Sequence, residues 1–142
     1  MLLSALPALK DPEGNRLPDG MPFVVDAHVH VSPEPIRRSL WKWFDAFGYP
    51  IRYRLSTWEV FDFLLSRGVG HIVALQYAHK PGIARELNRY MAEKCSRYPE
   101  QISGMATVFP GEDGAKEILE EAFQLGLAGV KLHAHVQCFD MN

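Results

Sequence analysis

Two rhythms of apolar positions run along the chain. Residues 23–31 (FVVDAHVHV) are β-branched and bounded by Pro22 and Pro33, which predicts a short buried strand. Residues 58–67 place Val60, Phe61, Leu64 and Leu65 at helical spacing, with Thr57 as the expected N-cap and Gly68 as the stop. A second strand follows over 71–78, and a second amphipathic helix over 83–98, ending before Pro99. Residues 102–109 predict a third strand closed by Pro110, and 115–125 a third helix stopped by Gly126. Residues 128–137 (AGVKLHAHVQ) predict a fourth strand. Strands alternating with helices define an α/β class with a parallel sheet and right-handed crossovers. Residues 1–22, rich in turn formers, read as an N-terminal arm, and 23–142 as the folded unit.

Side chains alternate across a strand, so Asp26, His28 and His30 share one face while Val25, Ala27, Val29 and Val31 share the other. The fourth predicted strand repeats the split, with Lys131, His133, His135 and Gln137 opposite Val130, Leu132, Ala134 and Val136. Crossover helices would cover the apolar faces. The polar faces, taken out of water, need partners or a ligand. Two imidazoles at i and i+2 can converge on one cation, and neutral imidazole is a common zinc ligand. A chance pair is the competing reading. Its place at the carboxyl end of a first parallel strand, after Asp26 and before a long loop, favours the metal.

VDAHVH on a first strand resembles the opening motif of the amidohydrolase superfamily, and GVKLHAHVQ resembles a later strand of its amidohydrolase-related branch. The resemblance implies a (β/α)8 TIM-type barrel, present here as roughly a half-barrel of four βα units. It also implies a divalent metal, usually zinc, held by His28 and His30, with further His and Asp ligands on strands five, six and eight. A complete barrel takes about 250 residues, so in 142 residues those later ligands and the usual aspartate base are not expected. Asp140, in the final CFDMN, reads as a turn or helix-start residue. Lys131 lies where some members carboxylate a lysine to bridge two metals; the alternative is a lysine in an ordinary hydrogen-bond or ion-pair network.

The expected catalytic residues are Lys131 and His133. His133 and His135 could ligate metal, contact a substrate carboxylate or move a proton, with His133 favoured for catalysis and His135 for substrate. His79, on the loop after strand two, could line the pocket or be an ordinary exposed histidine, and His71 lies at the opposite end. Residues 32–56 are long for a βα connection and carry Trp41, Trp43, Phe44, Phe47, Tyr49 and Tyr53 among arginines. They would form either a substrate wall, with Arg52 and Arg54 offered to a carboxylate, or a small helix packed on the barrel. Cys95 and Cys138 belong to no nucleophilic or zinc-finger pattern.

Composition narrows the partners. Fifteen basic against seventeen acidic residues, without a run of either sign, argue against nucleic acid and anionic membranes. No apolar run approaches the ~20 residues of a membrane-spanning helix. The N-terminus lacks a basic n-region, and two cysteines suit a reducing cytoplasm. The expected activity is metal-dependent hydrolysis of an ester, amide or lactone in a small molecule, carboxylates included. The alternatives are decarboxylation or hydration on the same scaffold, or a catalytically silent half-barrel. Four strands alone would leave two sheet edges bare, so a missing C-terminal half or a homo-oligomer is expected.

Overall fold

The computed structural model describes residues 13–140; the first twelve positions of the expected arm lie outside them. Strand β1 (Val25–His30) is followed by helices α1 (Glu34–Phe47) and α2 (Thr57–Ser66), strand β2 (His71–Leu75) and helix α3 (Ala84–Cys95). Strand β3 (Ile102–Gly104), helix α4 (Ala115–Gln124) and helix α5 (Ala134–Gln137) complete the order. The strands form a parallel sheet in the order β1-β2-β3. Val25 pairs with His71 and His30 with Leu75, with one register irregularity between Asp26 and Val29.

The predicted fourth strand is corrected here. Past β3, Ala128 N donates to Gly104 O at 2.9 Å, Ala106 N to Gly129 O at 2.8 Å and Lys131 N to Ala106 O at 2.7 Å. These bonds make a single parallel bridge, Ala106 to Val130. At His133 the chain leaves the sheet. The His133 ring accepts from Val136 N and caps α5, and His133 N donates to the Gln137 side chain at 2.6 Å. The described residues therefore make a three-stranded sheet with five helices rather than four βα units. An alternation of polar and apolar residues does not report local caps of this kind.

A smaller correction concerns α2. Ser56, not Thr57, is its N-cap: Ser56 Oγ accepts from Glu59 N at 3.3 Å and the Glu59 carboxylate accepts from Ser56 N at 2.6 Å, a reciprocal capping box. Thr57 is buried, and its hydroxyl meets that of Tyr90 at 2.7 Å.

The main core lies where α2 and α3 cover the sheet. Phe61, Ile72, Ala74 and Met91 are fully buried there with Val29 and Ile102, each large apolar side chain contributing about 1.5–3 kcal/mol by leaving water. Gly104 allows the close approach of α3 to β3, since a Cβ on it would lie 2.8 Å from both Cys95 Sγ and Met91 Cγ. A second cluster of Ala78, Ala84, Leu87, Val108 and Ile118 ties α3 to α4 beyond the strands' carboxyl ends. Between the clusters, Asn88 spans to Thr107 through two buried bonds, Asn88 Nδ2 to Thr107 O at 2.9 Å and Thr107 N to Asn88 Oδ1 at 2.8 Å. No helix among the described residues is long and apolar enough to cross a membrane.

Candidate metal centre and its cavity

Period two in β1 puts His28 and His30 side by side on the polar face, and the fold brings their Nε2 atoms to 2.9 Å of each other, the rings 4.9 Å apart between centroids. Asp26, one step earlier on that face, accepts from His28 N at 3.1 Å, which anchors the carboxylate to the strand. Burial, followed by the positive fields of His28, Lys131 and His133, lowers the His30 pKa to about 4. His30 is therefore neutral near pH 7, the form that ligates metals.

The crest continues across the sheet through Tyr77, just after β2. Its ring meets His30 edge-on at 5.8 Å and His133 at 4.9 Å. Burial raises the Tyr77 pKa, so the phenol keeps its proton at neutral pH. Lys131 is half-buried close enough to act on His30, and its ammonium makes no hydrogen bond or ion pair among the described residues. The network expected as the alternative role for Lys131 is not found there.

Beside this row opens a cavity of about 630 Å³. Leu40, Trp43 and Phe44 of α1, with Tyr49, form one wall, while Tyr77, His79, His133, His135 and Val136 form the other. The 32–56 segment is thus both a helix and a wall. No α1 residue is buried, and Trp43, Phe44 and Tyr49 contact one another at 5.0–5.1 Å between successive rings. Three of the predicted site residues, His79, His133 and His135, meet at this cavity, although the last two arrive there on a helix and its cap. Arg52 and Arg54 are not among its lining residues: Arg52 lies over Tyr53 and 3.9 Å from Glu13, and Arg54 pairs with Asp45.

Sequence reasoning passed over Tyr77, Gln76 and Gln137 as site residues. Gln76 and Tyr77 stand one and two positions past β2 on the crest level of His30, and a polar residue closing an apolar strand was the available signal. Gln137 was assigned to a strand face, whereas it is 2 % exposed and donates to Ala78 O at 2.8 Å and Val108 O at 2.9 Å.

A parallel α/β sheet with its polar side chains gathered at the carboxyl ends of the strands is the architecture of part of an α/β barrel. A family model described as amidohydrolase matches residues 25–140, and the chain belongs to the amidohydrolase family, in its amidohydrolase-related branch. No curated protein and no solved structure matches it. Members of the family are generally metal-dependent.

The histidine pair fits two positions of a metal site. Nitrogens about 2.0–2.1 Å from a tetrahedral ion stand about 3.3 Å apart, and 2.9 Å is within a small side-chain adjustment of that. Among the described residues no group of three or more His, Cys, Asp or Glu comes together to hold an ion, so the pair alone is not a complete ligand set.

Proposed function

We propose that this chain carries the first two ligands, His28 and His30, of a divalent metal in a hydrolase acting on an ester, amide or lactone of a small molecule. The observation that supports it most is the pair of imidazole nitrogens facing each other at 2.9 Å at the end of the first strand, beside a cavity of about 630 Å³. When bound, such an ion polarises a carbonyl and acidifies water; zinc is the ion expected from two imidazoles. Trp43, Phe44 and Tyr49 exclude water from one side of the substrate, and the Tyr77 hydroxyl, without a hydrogen-bond partner among the described residues, is available to donate to it. His133 stands where a proton can pass to or from the substrate, and Lys131 supplies positive charge beside His30. Arginines around a carboxylate substrate would favour the lyase alternative. It loses that support with Arg52 and Arg54 turned to other partners. The two free cysteines accord with a reducing cytoplasm.

A cover for the sheet's outer margins is part of the reading. Phe23 and Val25 are 74 % and 47 % exposed beside the edge of β1 that no described residue pairs, and Val130 and Leu132 are exposed on the other side. Further strands or a second copy would bury them.

The test is the metal content of the purified protein, by elemental analysis, against a His28→Ala/His30→Ala double variant. About one equivalent is expected in the wild type and none in the variant. A metal-free wild type, or equal metal in both, overturns the reading.

A further inference from the structure

The cavity of about 630 Å³ falls within the ~300–1,000 Å³ typical of small-molecule sites. Its two walls differ in chemistry. On the α1 side Trp43, Phe44 and Tyr49 form a run of rings, Trp43 edge-on to Phe44 at 5.1 Å and Phe44 tilted to Tyr49 at 5.0 Å. These rings do not fill the core: Trp43 is 52 % exposed, Tyr49 is 66 % exposed, and no α1 residue is buried. A contiguous aromatic surface left to water marks a place where something binds.

The opposite wall is polar but carries no fixed charge. Burial raises the Tyr77 pKa, so its phenol keeps the proton, and burial followed by the Lys80 charge lowers the His79 pKa. His133 Nδ1 accepts from Val136 N at 3.4 Å, so the neutral ring carries its hydrogen on Nε2. Among the described residues no Asp, Glu, Lys or Arg lines the cavity. Lys80 and Lys131, one and two positions from lining histidines, are not part of its walls, and Arg54 is paired with Asp45.

A carboxylate seated against these rings would give up water without gaining a cation. A neutral ring loses little on leaving water and gains from each aromatic contact. A protein element packed over the cavity would have to supply a partner for every polar group of the far wall. A flat ligand with one carbonyl can lie on the rings and leave the remaining imidazoles to water.

We propose that this cavity takes the uncharged aromatic group of an aryl ester, amide or lactone, and that Trp43 selects it over a carboxylate of the same shape. The bond to be cleaved rests on the hydrolase reading above; the choice of ring and charge rests on the cavity alone.

Cinnamamide and cinnamate, alike in shape and different in charge, are titrated at neutral pH into the metal-free protein. Binding is followed by NMR at the Trp43 indole N–H and at the rings of His79 and His135. Cinnamamide should shift these signals, and cinnamate should bind at least about tenfold more weakly. Trp43→Ala should weaken cinnamamide about 3–10-fold at an unchanged Tm, and Trp43→Phe, which keeps a ring, should recover most of the loss. Equal or tighter binding of cinnamate overturns the proposal. So does cinnamamide binding that Trp43→Ala leaves unchanged, or the absence of any shift up to the solubility limit of cinnamamide. The titrations use no metal, so their failure is distinct from failure of the metal analysis. A protein that holds no metal yet binds cinnamamide through Trp43 removes the hydrolase reading and leaves the cavity assignment standing.

Discussion

Two stretches of this chain, 25–30 and 130–137, carry the same alternation of histidines with apolar residues, and the structure treats them differently. The first is a strand, laddered to β2 from Val25 to His30 and backed by a dry core at Val29. The second makes one bridge, at Val130, and then turns into a four-residue helix. Both deliver histidines to the same crest. The difference lies in what holds them. His28 and His30 depend on apolar packing beneath the sheet, whereas His133 and His135 depend on Gln137, whose single amide donates to two backbone carbonyls and accepts from His133 N. Alternation permits a strand, and a neighbour to pair with over its length decides whether one forms.

The largest effect should come from breaking the apolar support. Phe61 is 0 % exposed and packs against the rings of Trp58 and Tyr98, at 6.2 and 5.9 Å. Phe61→Ala should cost about 3–5 kcal/mol, which lowers Tm by roughly 10–20 °C in a chain of this size. Thermal unfolding followed by circular dichroism measures it. A fall of only a few degrees would mean that the packing beneath β1 is not what fixes the first histidine pair.

Removing the polar support should have a smaller and more local effect. Gln137→Ala leaves Ala78 O and Val108 O without this donor and His133 N without its acceptor, at about 2–3 kcal/mol. Hydrogen exchange should speed up at residues 133–139 while Val31 N, bonded to Leu75 O at 3.0 Å, keeps its protection. Equal acceleration at both places would show that α5 and the sheet open as one unit, and the contrast drawn above would fail.

The same contrast explains how much could be read from the sequence. Strands β1 to β3 and helices α2 to α4 were legible because their apolar positions supply the core, at Val29 in β1, Ile72 and Ala74 in β2 and near period 3.6 around Phe61. The His28 and His30 pair was legible for the same reason: period two alone puts them on one face. The cavity was not. Its two walls come from α1, none of whose residues is buried, and from Tyr77 and His133, segments far apart in sequence whose placement no local pattern reports. Gln137 and Gln76 were hidden because a buried glutamine is defined by the carbonyls around it, and no spacing rule reports those. Ser56 was within reach, since Ser56 followed by Glu59 is the capping-box pattern, but Thr57 stood one residue nearer the apolar run.

The smallest effect expected sharpens the comparison at the end of α5. Cys138 has φ 54° and ψ 44°, the one positive φ outside glycine among the described residues, and its N–H closes the helix on Ala134 O. A left-handed conformation costs a side-chain-bearing residue about 1–2 kcal/mol, whereas glycine adopts it freely and loses about 0.5–1 kcal/mol more chain entropy on folding. Cys138→Gly should therefore stabilise the protein by no more than about 1 kcal/mol, seen as a slightly higher denaturant midpoint at unchanged slope. The thiol's contacts with His135 O at 3.6 Å and Val136 O at 3.9 Å are weak enough to give up at little cost. A clear loss of stability would instead show that those sulfur contacts hold the cap, and that α5 has a second support besides Gln137 where the strand-borne pair has only its core.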